Sequence, residues 1–414
     1  MAEPLFKVEL GKSMADQEVP GHNRWHPDIP AAAWTDPGTD FRVECMDWTN
    51  GQVGNNDSAN DIRDMDLSPN HTLSGPIGVN GAEPGDLLVV EILDMGPFPG
   101  PETEWGYTGI FARDNGGGFL TDRFPDAHKA IWDFRGLYAT SRHVPDVKLV
   151  GIKHPGIVGC APSAEMLAEW NRRERALIAT DPDRVPPLAL PPEPHNVILG
   201  TLDPGSPDFG RIAGEATRTV PPREHGGNVD IKNLTIGTRV YLPVYVDGAK
   251  LTTGDLHFSQ GDGEITFCGA IEMAGYIDFG VDLIKGGMEK YAMNRPGHMP
   301  MFELSHLEPT YSSFLVFEGI SVDDNGDQHY LDAHIAFKNA CLNAIEYLKT
   351  CGYTDEQAYI ILGAAPIEGR ISGIVDIPNV CCTLYIPTEI FERPILPDDV
   401  PKRTASTGNL AVGS

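Results

Sequence analysis

Basic side chains are scarce in this chain: 31 Lys and Arg stand against 59 Asp and Glu, a net charge of −28. A polyanion of that strength repels phosphate backbones and anionic lipid, which argues against nucleic acid or a membrane as partner. Long apolar runs are also missing; no 18 consecutive apolar residues occur, so no membrane span is expected. The opening Met-Ala-Glu-Pro-Leu-Phe-Lys has no basic segment leading into an apolar one, so no signal peptide is expected. Seven cysteines are dispersed, odd in number and without CxxC spacing, which points to reduced thiols in a cytoplasmic protein. A GxSxG elbow, a Walker loop, a zincin helix and the glycine-serine motif of Ser-Ser-Lys amidases are all lacking. The glycine-rich fragments form no GxGxxG between a strand and a helix, so nucleotide binding has no support.

What is present is turn punctuation and strand. Gly (45) and Pro (35) exceed ordinary usage but are scattered, and 41% of residues are apolar, enough for a large core. Strands are expected at 41–45, 86–92, 238–247, 264–273, 276–284 and 314–322 from alternation or short apolar runs. Residues 50–70 read as a loop, and 97–146, with little periodicity, as irregular binding loops around Asn115-Gly116-Gly117-Gly118. Helices are expected over 164–178 behind Ser163, over 332–350, and from Thr354, where Thr-Asp-Glu-Gln fits a capping box. The expected division is a β-rich lobe (1–180), a Pro/Gly-rich excursion (181–222), a second β-rich lobe with two helices (223–395) and a loose tail (396–414).

The segment Gly254-Asp-Leu-His-Phe-Ser-Gln-Gly-Asp-Gly-Glu-Ile265 concentrates polar groups beside an apolar strand. Asp255 and His257, two apart, project to one face of a strand, where they can share a metal ion or a proton. Gly261 and Gly263 permit a sharp turn that returns Asp262 and Glu264 toward that face. Cys268 and Glu272 share a face of the next strand, and a buried Glu272 asks for a partner because an unpaired buried charge is costly. A plain hairpin with a polar turn explains the same pattern. In Pro222-Arg-Glu-His-Gly-Gly-Asn-Val-Asp230, the backbone of Gly226 and Gly227 can approach an oxyanionic centre beside Asn228 and Asp230, although Gly-Gly-Asn is also ordinary turn grammar. His71 precedes Gly75-Pro76 in a loop, and Trp25 lies among His22, His26 and Asp28; a packed surface loop accounts for either. Cys160 follows a glycine-rich turn ahead of a helix and is a conceivable thiolate, more simply a small buried residue.

These segments, with Ser74-Gly-Pro-Ile-Gly-Val-Asn-Gly-Ala-Glu-Pro-Gly-Asp-Leu-Leu-Val-Val90, resemble the acetamidase/formamidase family, most closely its formamidase branch, over roughly 5–395. The resemblance implies a predominantly β fold, with sandwich-like sheets and a smaller α/β portion. It implies hydrolysis of formamide, a small neutral amide, to formate and ammonia by a homo-oligomer, trimer or hexamer. Acetamide or a γ-lactam is the alternative substrate within that family. With no serine or cysteine triad in view, a metal-activated water is the preferred nucleophile, and a bound divalent cation, zinc first, is implied by resemblance. The ligands are sought among His257, Asp255 and Asp230, with Glu264 as general base, Asp262 orienting the site and Glu272 beside it. Gly226, Gly227 or Asn228 would supply oxyanion donors; His71 and Trp25 would contact substrate, with Trp105, Phe111 or Trp132 as further walls. Two rivals stand beside this: a Cys160 or Cys268 nucleophile paired with Glu264 or Glu272, and a non-catalytic β-sandwich that binds small amides.

Overall fold

The computed structural model describes residues 3–182, 195–293 and 300–397. Most of the expected tail and part of the 181–222 excursion therefore lie outside the described residues. Two large sheets carry the fold. One has six strands, in the order Glu3–Phe6, Thr39–Cys45, Gly275–Ile284, Leu87–Pro97, Arg239–Pro243 and Met301–Glu303. The other is larger; its middle runs His154–Gly159, Leu251–Gln260, Phe267–Met273, Trp105–Ile110 and His128–Arg135, with Leu73–Val79 also paired to Leu251–Gln260. Both sheets take strands from before and after 181–222, so the segments 1–180 and 223–395 hydrogen-bond into shared layers.

Val43, Val90, Ile277 and Phe279 of the smaller sheet and Leu256, Phe258, Ile271 and Met273 of the larger one belong to one apolar core. Phe258 stacks on Phe134 with centroids 4.2 Å apart, an aromatic contact worth about 0.5–1.5 kcal/mol beyond its buried area. Strand alternation then decides where the chemistry goes. Leu256 and Phe258 point into the core, so His257 between them points out of it. Along Phe267–Met273, Ile271 and Met273 face the core and Glu272 takes the opposite side. Leu251–Gln260 is buried at every position, so its polar face is covered too.

A third sheet, Phe314–Ile320, Cys381–Pro387 and Glu368–Gly373, packs on the helix Ala333–Thr350 and supplies the α/β portion. That helix begins behind Asp332, whose side chain accepts from Ile335 N. The helix Ala164–Thr180 begins behind Ser163, and Asp355–Ala364 behind the complete capping box of Thr354 and Gln357. Gly319 lets strand and helix touch, since a Cβ there would meet the Ala336 carbonyl and the Ala340 amide. Gly319→Ala is therefore expected to cost about 1–3 kcal/mol through overpacking, read as a lowered urea midpoint. An unchanged midpoint would mean that the helix can retreat freely.

Two expectations need correction. Residues 97–146 contain the strands Trp105–Ile110, His128–Arg135 and Tyr138–Ser141, and only parts of the stretch are loop. Their glycines hide the alternation: a Cβ on Gly106 would meet Ile271 Cγ2 and Phe134 Cζ at 2.8 Å, so close strand packing displaced the usual apolar side chains. The strand expected at 264–273 begins at Phe267, because residues 261–266 form the turn that carries Glu264.

Candidate active site

His257 is the centre of a buried cluster. Its Nε2 lies 3.1 Å from Asp255 Oδ1 and 3.1 Å from Glu272 Oε2. Donor atoms of Asp255, His257 and Glu272 all lie within 4.8 Å of one another, as do those of Asp230, His257 and Glu264. The five residues reach this point from different elements: the strand Leu251–Gln260, its neighbour Phe267–Met273, the turn at 261–266, and Asp230 just beyond Gly226–Asn228.

Three of the carboxylates stand on left-handed backbone: Asp230 (φ 46°), Asp255 (φ 56°) and Glu264 (φ 47°). Non-glycine residues in this region cost about 1–3 kcal/mol each when the surroundings impose the conformation, and such outliers gather at functional sites. Asp tolerates the region better than Glu does. Three in one cluster mark it as a place where the fold stores strain.

The imidazole orientation follows from its neighbours. His154 Nδ1 lies 2.7 Å from the Ile152 carbonyl, which can only accept, so that nitrogen carries the proton. Gln260 Nε2 donates to the Asp230 carbonyl (2.7 Å), leaving Gln260 Oε1 3.0 Å from His257 Nδ1. Nδ1–H of His257 therefore donates to Gln260, and Nε2 is the nitrogen turned to the carboxylates. Holding one ring nitrogen by an N–H donation is the usual way a ligand histidine is fixed.

Four carboxylates around one imidazole leave an excess of negative charge in a buried space. Burial and then Asp255 push Asp230 up to about 7. Glu272 also rises to about 7, driven by burial and only partly relieved by His257. Glu264 is held well above the usual carboxylate range by burial and by Asp230. Asp255 goes the other way: burial raises it, but His257, His71 and a hydrogen bond with Glu272 together outweigh burial and keep it low. His257 is raised well above an ordinary imidazole, burial being overcome by Glu272 and Asp255. Such a cluster calls for protons or a cation.

The donor set suits a divalent cation. Asp230 Oδ1 is buried without a hydrogen-bond partner. A Cβ on Gly156 would sit 2.8 Å from that oxygen and 2.7 Å from His257 Cε1, and against Asp255 Oδ2. Glycine thus keeps open a cradle walled by Asp230, Asp255 and His257. One imidazole nitrogen with carboxylate oxygens is a donor set of the kind zinc takes.

Beside the cluster lies a cavity of about 290 Å³, walled by Trp48, Leu67, Phe119, Val220 and Phe267 with His71, Asn70, Asn228, Asp230, Asp255 and Glu264. Its aromatics differ from those expected. Trp25 is buried against His225, centroids 4.5 Å apart, and Trp132 belongs to the core. Trp105 lines a different cavity, and Phe111 stands behind Phe267 at 4.7 Å. Gly226 and Gly227 pair with Gly159 and Val158 in the sheet, away from the cavity walls. Asn228 does reach the cavity, but its Nδ2 donates to the Val220 carbonyl (2.9 Å), and Oδ1 is the atom without a partner. Asp262 turns away: it pairs with Lys232 Nζ at 2.6 Å and accepts from Gly369 N at 2.9 Å.

Neither cysteine is placed as a nucleophile. Cys160 is fully buried in the core, and burial pushes its thiol up, disfavouring thiolate. Cys268 Sγ donates to Glu272 Oε1 at 3.6 Å; burial and that carboxylate hold its pKa well above an ordinary thiol's.

Gly156, His154, Gln260, Trp48, Asn70, Phe119 and Phe267 join the site without having been singled out. Apart from His154, these are glycine, amide and aromatic side chains, to which only proximity assigns a role.

Residues 7–393 match the model of the Acetamidase/Formamidase family. The chain is 62% identical over 399 residues to "Formamidase" of Methylophilus methylotrophus, covering 96% of each. It is 64% identical over 376 residues to "Acetamidase" of Mycolicibacterium smegmatis, covering 89% of this chain and 91% of that one. A solved structure of "gamma lactamase from Delftia acidovorans" superposes with a TM-score of 0.92 at 57% identity, covering 96% and 95% of the two chains. The match runs through the elements that bring His257 and the four carboxylates together, and this chain belongs to the acetamidase/formamidase family.

Proposed function

We propose that the protein is an amidohydrolase that cleaves formamide, and other short primary amides, to the carboxylate and ammonia. The observation that carries this reading is the buried carboxylate–histidine cluster on a small cavity, in a chain whose relatives bear the names of amide hydrolases. At about 290 Å³ the cavity is at the low end of the roughly 300–1,000 Å³ typical of ligand sites.

His257, Asp255 and Asp230 would hold a divalent cation, zinc first, with Glu272 against the same Nε2 of His257. When bound, that cation supplies Lewis-acid polarisation and lowers the pKa of water. Glu264 takes a proton from the attacking water as the C–O bond forms, and returns it to nitrogen as the C–N bond breaks. Asn70 Oδ1 and Asn228 Oδ1 are buried acceptors without partners, and both residues wall the cavity. They suit the two N–H groups of a primary amide.

Rates of ammonia release from formamide and acetamide, with ring opening of a γ-lactam, test the reading. Formamide is expected to lead acetamide by about 10-fold or more in kcat/KM, the worth of one methylene in a tight pocket. Turnover of none of the three would favour a binding protein. A lactam in first place would favour the reading that the 57% identity to a gamma lactamase supports. Elemental analysis should find one divalent cation per chain; full activity after exhaustive chelation would remove the metal.

Seven unpaired cysteines support a cytoplasmic setting, and no helix among the described residues is long and apolar enough to cross a membrane. Exposed Val316, Ile320, Ile374, Val375 and Ile377 support a homo-oligomer, trimer or hexamer. Light scattering giving the mass of a single chain would exclude it.

A further inference from the structure

The donors first sought for the amide carbonyl are not available to it. Asn228 spends its NH₂ on Val220, and Gly226 and Gly227 are engaged in the sheet. Two side chains on the cavity wall have a ring nitrogen to offer: Trp48, whose Nε1–H is buried without a partner, and His71, for which the nitrogen that carries the proton decides whether it can serve.

Thr219 settles that. Its hydroxyl is fully buried and touches His71 twice: Oγ1 accepts from the His71 backbone N–H at 2.7 Å and lies 3.1 Å from His71 Nδ1. Among the described residues the Thr219 hydroxyl has no other acceptor. If Nδ1 carried the proton, Oγ1 would face two N–H groups and its own hydrogen would be buried without a partner. A buried unmade hydrogen bond is costly, whereas donation from Oγ1–H to Nδ1 satisfies every group. The ring is then held with Nδ1 as acceptor and Nε2 protonated. Trp48, 5.1 Å away centroid to centroid, packs against the same ring and limits its rotation.

We propose that Thr219 is a positioning residue that fixes His71 as the Nε2–H tautomer, and that this N–H stabilises the carbonyl oxygen of the amide during attack. The proposal rests on the amidohydrolase reading above for its second half only; the tautomer follows from the Thr219 contacts alone. It extends to His71 the role of a fixed, pre-oriented donor aimed where negative charge develops. The reaction itself is unchanged: water adds to carbon, the C–N bond breaks, and His71 gives up no proton.

Two measurements on the full-length, metal-loaded protein separate the halves. Nitrogen-15 spectra of labelled histidine, with His71 assigned by its loss in His71→Gln, should show Nε2–H in the parent protein. Thr219→Val should shift that signal toward the other tautomer, and Thr219→Ser should restore it. In turnover, Thr219→Val should lower kcat by about 10²-fold, the loss typical of one misplaced oxyanion donor, with KM changed less than threefold. Thr219→Ser should recover most of it, a rescue that a packing role for the threonine methyl would not give. An Nδ1–H tautomer in the parent protein overturns the proposal, and so does full kcat in a folded Thr219→Val variant. An Nε2–H signal lost in Thr219→Val, in a protein that hydrolyses no amide, would uphold the Thr219 assignment and overturn the amidohydrolase reading instead.

Discussion

Glu264→Gln is expected to lower kcat by about 10³-fold while leaving the protein as stable as before, or more so. The activity loss follows from the role: a general base contributes about 10²–10⁴-fold, and glutamine of the same shape cannot take a proton. The stability result follows from the surroundings. Glu264 is buried against Asp230, and burial with that neighbour holds its pKa well above the ordinary carboxylate range. A group whose folded pKa is raised weakens the fold as pH climbs through that value, since ionisation is easier in the unfolded chain. Glutamine removes the ionisation and keeps an oxygen for the Gly269 amide, which lies 3.4 Å from Oε1. Rate and melting temperature therefore move independently, the usual mark of a side chain kept for chemistry at some expense to stability. A structural glutamate would behave in the opposite way. Full kcat in Glu264→Gln would remove the base, and a large fall in melting temperature would make the rate loss uninformative about it.

Much of the cluster was legible because polar residues in an apolar strand are hard to explain otherwise. His257 and Glu272 stood out for that reason, and the sheet pairs them directly, His257 opposite Glu272. Asp262 shows where such reading ends. It and Asp230 are both turn carboxylates near glycines, alike in sequence, yet Asp262 pairs with Lys232 while Asp230 enters the site. Only tertiary placement separates them. Trp25 and Trp48 pose the same problem: one tryptophan packs on His225, and the other walls the cavity. The strands within 97–146 were missed for a different reason. Gly106 and Gly109 occupy positions where a Cβ would touch neighbouring side chains, so close approach of strands replaced the alternation that reveals a strand. The starts of three helices were legible to within one residue, because caps are local: Ser163, Asp332 and Thr354 each accept from a backbone N–H within three residues, whereas Asn60–Arg63 and Pro207–Glu215 lie in stretches read as loop and excursion.

The second large effect is expected at a residue with no chemistry at all. Gly156→Ala should reduce kcat/KM by at least about 10²-fold, the scale of loss for a roughly 1 Å displacement of reacting groups. Gly156 lies in the strand His154–Gly159, between Pro155, opposite Leu256, and Ile157, opposite Gly254. That register sets it across from Asp255. A methyl group would reach Asp255 Oδ2 and stand within 2.8 Å of Asp230 Oδ1, closer than a carbon and an oxygen approach without a shift. Neither carboxylate has room to withdraw. Asp255 is tied to His257, and both it and Asp230 are on left-handed backbone that the surrounding strands impose. The Gly156 carbonyl also accepts from the amides of Val229 (3.0 Å) and Asp230 (3.2 Å), so backing the strand away would drag Asp230 with it. The methyl group thus occupies the cradle in which the cation is proposed to sit, and bound metal should fall well below one equivalent by elemental analysis. Loss of metal together with activity in a cooperatively folding variant is the expected result. A Gly156→Ala protein that keeps both its metal and its rate would place the cation outside the space that Asp230, Asp255 and His257 enclose.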